Sequence, residues 1–201
     1  MKPLKIPPIL STIVQAGLLV ADGAKFDTLL TCPACGGPVS GYDTRRRLFV
    51  TIRENEAERG IFVDVKRFRC NRCNRVVHAD SPFYPATRIG SPVIDLCVTL
   101  SASMPTNRVA AYLDALDIIV DRTSCRLWVK NMRQTIPSTD LFGVRLPLSV
   151  LSLSALGSGH FESSPVPGAE ILAACGFPSA GRAAFDSTVT KKEGKEREAE
   201  K

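Results

Sequence analysis

Two cysteine pairs carry the chemistry most directly readable from this chain. Cys32 and Cys35 flank Pro33-Ala34, and Cys70 and Cys73 flank Asn71-Arg72, with thirty-four residues between the pairs. A Cys-x-x-Cys segment can bend its backbone so that both thiolates face one ion. Two such knuckles supply four sulfurs, the donor set of a closed, tetrahedral, structural Zn²⁺ site. A redox dithiol of the thioredoxin type needs one such pair in a βαβ setting, which neither pair has. His78 lies just beyond the second pair. It reads as a strand residue, because four thiolates already fill a tetrahedral site.

The long spacer must hold structure that carries the chain out from the first knuckle and returns it to the second. Residues 47–52 and 60–68 read as strands, separated by the polar turn 53–59, and residues 75–78 can add a third short strand. The fold class expected is therefore α+β. A small antiparallel zinc ribbon would be followed by a three-helix helix-turn-helix domain and a short C-terminal region of undefined fold. The domain limits read as 1–30 for an N-terminal helical extension, 31–80 for the ribbon and 88–135 for the helix-turn-helix. Residues 136–190 form the C-terminal region and 191–201 a charged tail.

Composition narrows the class. The chain has 201 residues, enough for one domain or two small ones, and its 6% aromatic content implies aliphatic cores. Small cores are where a structural metal helps most. With four of the seven cysteines in the knuckles, the odd remainder (Cys97, Cys125, Cys175) argues for a reducing compartment and against a disulfide framework. Cytoplasmic residence on the nucleoid is the expectation. The formal charge is +6 and the isoelectric point about 9.1. Between residues 45 and 75 there are ten Lys or Arg against four Asp or Glu, a net of +6 that equals the excess of the whole chain. That concentration favours a polyanionic partner. Arg45, Arg46, Arg47, Lys66 and Arg67 are the hairpin candidates for phosphate contact. The apolar run at residues 9–20 follows two lysines, but its interruptions and the poor cleavage site after it read as a short helix packed on the ribbon, not as a signal peptide. It is too short to span a bilayer, so no membrane partner is expected.

Beyond the ribbon, a proline-rich linker at 81–85 leads to Ser91-Pro92, which reads as a helix start with Ser91 as cap. Val93, Ile94, Leu96, Cys97 and Leu100 form one apolar face. Met104-Pro105 ends that helix, and Thr106 or Asn107 can cap the next, whose face is Val109, Ala110, Leu113 and Leu116. Residues 117–120 make a turn, and Asp121 caps a third helix with Cys125, Trp128, Val129 and Met132 facing inward. Cys97 and Cys125 read as core residues. The outer side of the third helix carries Arg122, Thr123, Ser124, Arg126, Lys130 and Arg133. Such residues suit a helix in the major groove. Arg122, Thr123 and Arg126, near its start, would meet bases, and Lys130 and Arg133 would meet phosphates. Farther on, 141–156 reads as a strand pair or a short helix, 157–168 as a loop, and 169–175 as a short helix. Residues 176–178 read as a turn and 179–185 as another helix.

Two Cys-x-x-Cys knuckles, a basic hairpin and then a helix carrying Arg122, Ser124, Arg126, Trp128 and Val129 resemble the N-terminal part of prokaryotic transposases, notably those of archaeal insertion elements. The likeness covers about half the chain, Cys32 to Met132. It departs from the family at the turn, where Asp117 stands at the usual glycine position. The resemblance implies a DNA-binding protein. Transposases of this kind also carry a catalytic domain in which three carboxylates hold two Mg²⁺ ions. Here about seventy residues follow the third helix, with Asp140, Glu162, Glu170 and Asp186 outside any strand framework. The expectation is a zinc-dependent, transposase-like binder of double-stranded DNA without catalysis of its own, either a transcription regulator or a binder of element ends. It can dimerise through residues 141–185 or serve a separate catalytic subunit. A zinc-ribbon adaptor for protein partners is the alternative, and an RNA-binding ribbon is also open.

Overall fold

The computed structural model describes residues 6–132, 134–159 and 165–176. In chain order the elements are α1 (Pro8–Leu19), β1 (Lys25–Phe26), β2 (Val39–Glu54), β3 (Ala57–Cys70), β4 (Val76–His78), α2 (Ser91–Ser101), α3 (Thr106–Ala115), α4 (Arg122–Asn131), β5 (Ser138–Leu141), β6 (Val144–Pro147), α5 (Leu148–Gly159) and α6 (Gly168–Ala174). The mixed α+β class holds. Residues 1–5, Arg133, Glu162, the helix expected at 179–185, Asp186 and the charged tail lie outside the described residues.

The β2–β3 hairpin is longer than the sequence suggests. The polar stretch read as a seven-residue turn is mostly strand, and the reversal takes only Asn55 and Glu56, both left-handed at φ 50° and 63°. Paired positive φ values define the tight turn that matches strand twist, and Asn tolerates that region. The charged flanks stay in the ladder because they pair across it: Arg53 lies opposite Glu58, and Arg59 reaches both Glu54 and Asp22 at 2.8 Å. β3 is the centre of the sheet. β2 runs antiparallel on one side; β1 (parallel) and β4 (antiparallel) share the other. A bulge between Leu48 and Val50 brings the fully buried Phe49 edge-on to Phe83 at 6.1 Å. Gly90 lies under this ring, where an added Cβ would come within 2.3 Å of it.

α1 forms where expected, but its principal partner is α5 and not the hairpin. A Cβ at Gly17 would meet the Val150 carbonyl oxygen at 2.8 Å, so the two backbones approach as only glycine permits. The β5–β6 hairpin and α5 together answer the strand-or-helix alternative at 141–156: both are present. Gly157, Ser158 and Gly159 end α5 instead of opening a loop. α2 departs from a one-faced helix. Residues 91–97, Thr99 and Leu100 are all buried, because α3, α4, α5 and β6 surround it. Its cap position is Gly90 and Ser91 lies within the helix, its backbone N–H donating to Pro82 O at 2.7 Å. α3 likewise starts after Pro105, whose carbonyl accepts from Arg108 and Val109, and neither Thr106 nor Asn107 caps it. Asp121 does cap α4: Oδ1 accepts from the Ser124 N–H at 2.8 Å and Oδ2 from its hydroxyl at 2.6 Å. Most buried apolar side chains of β1–β3 and of the helices among the described residues fall into one cluster, from Leu10 to Cys175, while Ile94 of α2 packs with Tyr84 in a second, small one.

Asp95 is the polar exception at the centre of α2. It is fully buried and accepts from Tyr84 Oη at 2.6 Å and Ser149 Oγ at 2.8 Å, which ties the linker, α2 and α5 together. Burial pushes its carboxyl up to about 6, against the smaller opposing pull of those two hydroxyls. A folded-state pKa above the unfolded value means that the native state favours the neutral acid. Its stabilisation is therefore full below about pH 4 and is lost as pH rises through about 6. Denaturant titrations of Asp95→Asn and the parent should show the variant gaining about 2 kcal/mol relative to the parent between pH 4 and 7.

Candidate metal centre and cationic faces

The two knuckles are built alike, residue for residue. In the first, Gly36 N–H donates to Cys32 O at 2.8 Å and Cys32 N–H to Gly37 O at 2.9 Å. In the second, Asn74 N–H donates to Cys70 O at 3.0 Å and Cys70 N–H to Arg75 O at 2.9 Å. The residue after the second cysteine is left-handed in both, Gly36 at φ 67° and Asn74 at φ 60°. That conformation reverses the chain just after the thiols. It suits glycine and, among other residues, asparagine. The pairing of Val39 with Cys70 at the end of the β2–β3 ladder then sets the knuckles face to face.

All four sulfurs lie within 4.8 Å of one another. Cys32 Sγ is 3.7 Å from Cys73 Sγ, and Cys35 Sγ is 3.5 Å from Cys70 Sγ. Thiolates bound tetrahedrally at the usual Zn–S length stand about 3.8 Å apart, so the donor set fits one such ion. The backbone N–H groups of Cys73 and Arg72 point at Cys70 Sγ, each at 3.4 Å, and lower its pKa to about 6. At Cys35 the Gly37 N–H acts in the lowering direction. The neighbouring Cys70 sulfur, partial burial and the other two cysteines outweigh it and push the thiol up to about 11. Crowded sulfurs cannot all ionise without a cation among them, and an ion at the centre would remove that conflict. Cys32, Cys35, Cys70 and Cys73 can thus hold one metal ion. Among the described residues they are the only group of three or more His, Cys, Asp or Glu side chains close enough to do so. His78 is outside the group, on β4 opposite Arg67.

Strand alternation splits the hairpin cations between two faces. Arg46 and Lys66 project from one, against the Phe62 and Phe68 rings at 4.5 and 5.4 Å. Arg45, Arg47 and Arg67 project from the other. Arg67 forms a two-pronged pair with Asp43, whose carboxyl it holds below the usual range, and its guanidinium lies 5.4 Å from the Tyr42 ring centre. Arg47 lies 3.8 Å over Phe83 and donates to Thr87 O at 2.8 Å. Arg45 and Arg46 are exposed, whereas Arg47, Lys66 and Arg67 are partly covered. Arg69, Arg72 and Arg75 are also exposed, clustered in sequence around the second knuckle. They belong to the same basic run, and strand alternation would have set them apart.

On α4, Arg122, Thr123, Arg126 and Lys130 are exposed, and Ser124 is committed to the Asp121 cap. Leu127 is exposed among them at 55%. Cys125 is buried, and Trp128, Val129 and Met132 pack partly against the interior. The connection from α3 to α4 is bonded to the hairpin: Ile119 N–H donates to Thr51 O at 2.9 Å, and Arg53 N–H to Asp117 O at 2.8 Å. Asp117 is left-handed at φ 61°, the conformation a glycine would otherwise supply, and Arg53 pairs with Asp114 at 2.9 Å. Asp140 is exposed on β5 and Glu170 in the first turn of α6. No helix among the described residues is long and apolar enough to cross a membrane.

No family model, curated protein or solved structure matches this chain.

Replacing Cys32 or Cys70 with Ser should abolish stoichiometric metal content by elemental analysis. It should also unfold the knuckle end of the hairpin, seen as lost amide protection from Val39 to Arg45, since the binding free energy of such a site is folding free energy.

Proposed function

We propose that this chain is a double-stranded DNA-binding protein of the transposase-like type, with one structural zinc ion and without catalysis of its own. Zn²⁺ held by Cys32, Cys35, Cys70 and Cys73 fixes the knuckle end of a zinc ribbon. α2, α3 and α4 act as a helix-turn-helix, and α4 enters the major groove. Arg122, Thr123 and Arg126 read base edges there, while Lys130, with Arg133 after it, contacts phosphates. Arg45 and Arg46 add phosphate contacts from the hairpin. Regulating transcription and binding the ends of a mobile element both follow from such a module, alone, as a homodimer, or as the DNA-binding subunit of a separate catalytic protein.

The observation that carries this reading is the exposed, N-capped, basic side of α4, together with the backbone bonds that clamp its entry turn to the hairpin. A rigidly held helix end is what base reading requires. One feature favours a second reading, in which the helices dock a protein partner: Leu127 stands exposed in the middle of the same face. Apolar exposure surrounded by charge suits a protein interface.

Salt dependence separates the two. Selection from a random duplex library by the zinc-loaded protein should return an enriched sequence. Affinity for that sequence should fall linearly on a log–log plot against salt. Arg126→Ala should cost about 1–3 kcal/mol and relax specificity at one position, whereas Arg45→Ala should weaken all sequences alike and reduce the salt slope by about 1. Affinity indifferent to salt, with Leu127→Ala the damaging change, would favour the protein-docking reading.

A further inference from the structure

A cavity of about 960 Å³ lies over the knuckle end of the sheet, on the face that carries Arg45 and Arg47. Its walls are β4, residues 29–36 leading into the first knuckle, and residues 81–87 of the linker. Of the side chains assigned above to duplex contact, Arg45 alone lines it. Toward the hairpin tip this face of the sheet is core, with Ile61, Val63 and Val65 buried; at the cavity the same face becomes cationic. Arg45, Arg47 and His78 all line it.

Arg47 is the informative residue. It is partly covered, and burial lowers its pKa. Yet it has no carboxylate partner among the described residues, and its recorded contacts are the Phe83 ring and the single Thr87 carbonyl. Arg45 shares Asp43 with Arg67, at 3.3 Å and through the two-pronged pair. The acids near the cavity are therefore Asp43, already taken by two arginines, and Asp80 on the lining. A partly desolvated cation without a counter-charge is costly, and an anion in the cavity would offset that cost. The other half of the lining is apolar. Leu30, 76% exposed, and Val76, 42% exposed, are two of the few large apolar side chains open to solvent, and both belong to this cavity.

From this lining we infer that the cavity binds a mononucleotide-sized organic phosphate. Its phosphate is held by Arg45, Arg47 and His78, and its flat or apolar body lies against Leu30, Val76 and the linker. Two guanidinium groups and an imidazole supply donors to the oxygens of one phosphate, for which the planar arginine fork is well shaped. The volume falls at the upper end of the range typical of small-ligand sites. The phosphate can come from a free nucleotide or from an unpaired 5′-terminal nucleotide of DNA. The site itself needs neither α4 nor a duplex.

The test is a titration of the zinc-loaded, full-length protein with thymidine 5′-monophosphate, followed through the amide signals of Val76, Val77, His78 and Thr87, with thymidine and inorganic phosphate as partial ligands. Saturable shifts with the monophosphate, and binding at least about tenfold weaker for each partial ligand, are expected. Arg47→Gln should weaken binding about tenfold. Because Arg47 also packs on Phe83, the exposed changes Arg45→Gln and Leu30→Glu supply the same readout with little risk to folding, and each should weaken binding severalfold. Displacement of the monophosphate by a duplex with a 5′-phosphorylated overhang, but not by the same duplex with blunt unphosphorylated ends, assigns the source to DNA ends, and displacement only by free nucleotides assigns it to a soluble ligand. Unmoved amides at millimolar monophosphate, equal binding of thymidine, or wild-type affinity in both exposed variants would overturn the inference. Failure of duplex binding through α4 would leave it standing.

Discussion

The register of the β2–β3 ladder is the constraint on which the other parts depend. At one end, the pairing of Val39 with Cys70 puts two separately formed knuckles within reach of one ion. Toward the other, Thr51, Ile52 and Arg53 hold the α3–α4 connection through a bridge to Ile118 and two backbone hydrogen bonds. A shift of one residue would turn Ile61, Val63 and Val65 out of the core and part the cysteines at the same time. The cross-strand charge pairs and the two-residue turn at Asn55-Glu56 are therefore more than surface decoration, since they fix the register from the closed end.

α2 plays the corresponding part among the helices. It is enclosed by its neighbours, and two of the polar residues it carries into the interior are matched, Asp95 by Tyr84 and Ser149 and Ser91 by Pro82 O through its backbone, whereas Thr99 Oγ1 is buried with no hydrogen-bond partner among the described residues. Tyr84 belongs both to this buried network and to the lining of the cavity beside the first knuckle. Trp128 of α4 and Met132 just after it pack against the small cluster that Tyr84 forms with Ile94 of α2. The linker is thus a structural joint between the cysteine end of the sheet and the helices, despite its loop-like composition.

How much of this was legible in the sequence depends on the range of the interaction. The knuckles were readable because thiol spacing alone dictates them, and Asp121 because a cap acts within one turn. The helices at 91, 106 and 122 were visible from apolar periodicity. The extent of the hairpin was not, because Arg53, Glu54, Glu58 and Arg59 look like turn residues until they are paired across the ladder. Enclosure of α2 was hidden by Ser91, Asp95 and Thr99, polar residues on what reads as its outer side. The partner of α1 could not be read, because Gly17 signals a close approach without naming the surface approached. The basic run was correctly located, but its division between two faces follows only from the register. In the knuckles, the left-handed residue follows each Cys-x-x-Cys directly, and its sequence signal is no more than the glycine at 36 and the asparagine at 74.

The contact between α1 and α5 bears on how the molecule comes to be assembled. Gly17 meets Val150 and Ser154, so α1 finds its seat only after the sheet and the three helices that lie between it and α5 in the chain have been made. Fixing so long a loop is entropically slow, and folds dominated by such distant contacts form late and cooperatively. Until α5 emerges, the apolar side of α1 has no cover. An apolar helix face left uncovered for that interval is the kind of surface that holding chaperones bind, and one that folding then closes over Leu10, Val14 and Leu18.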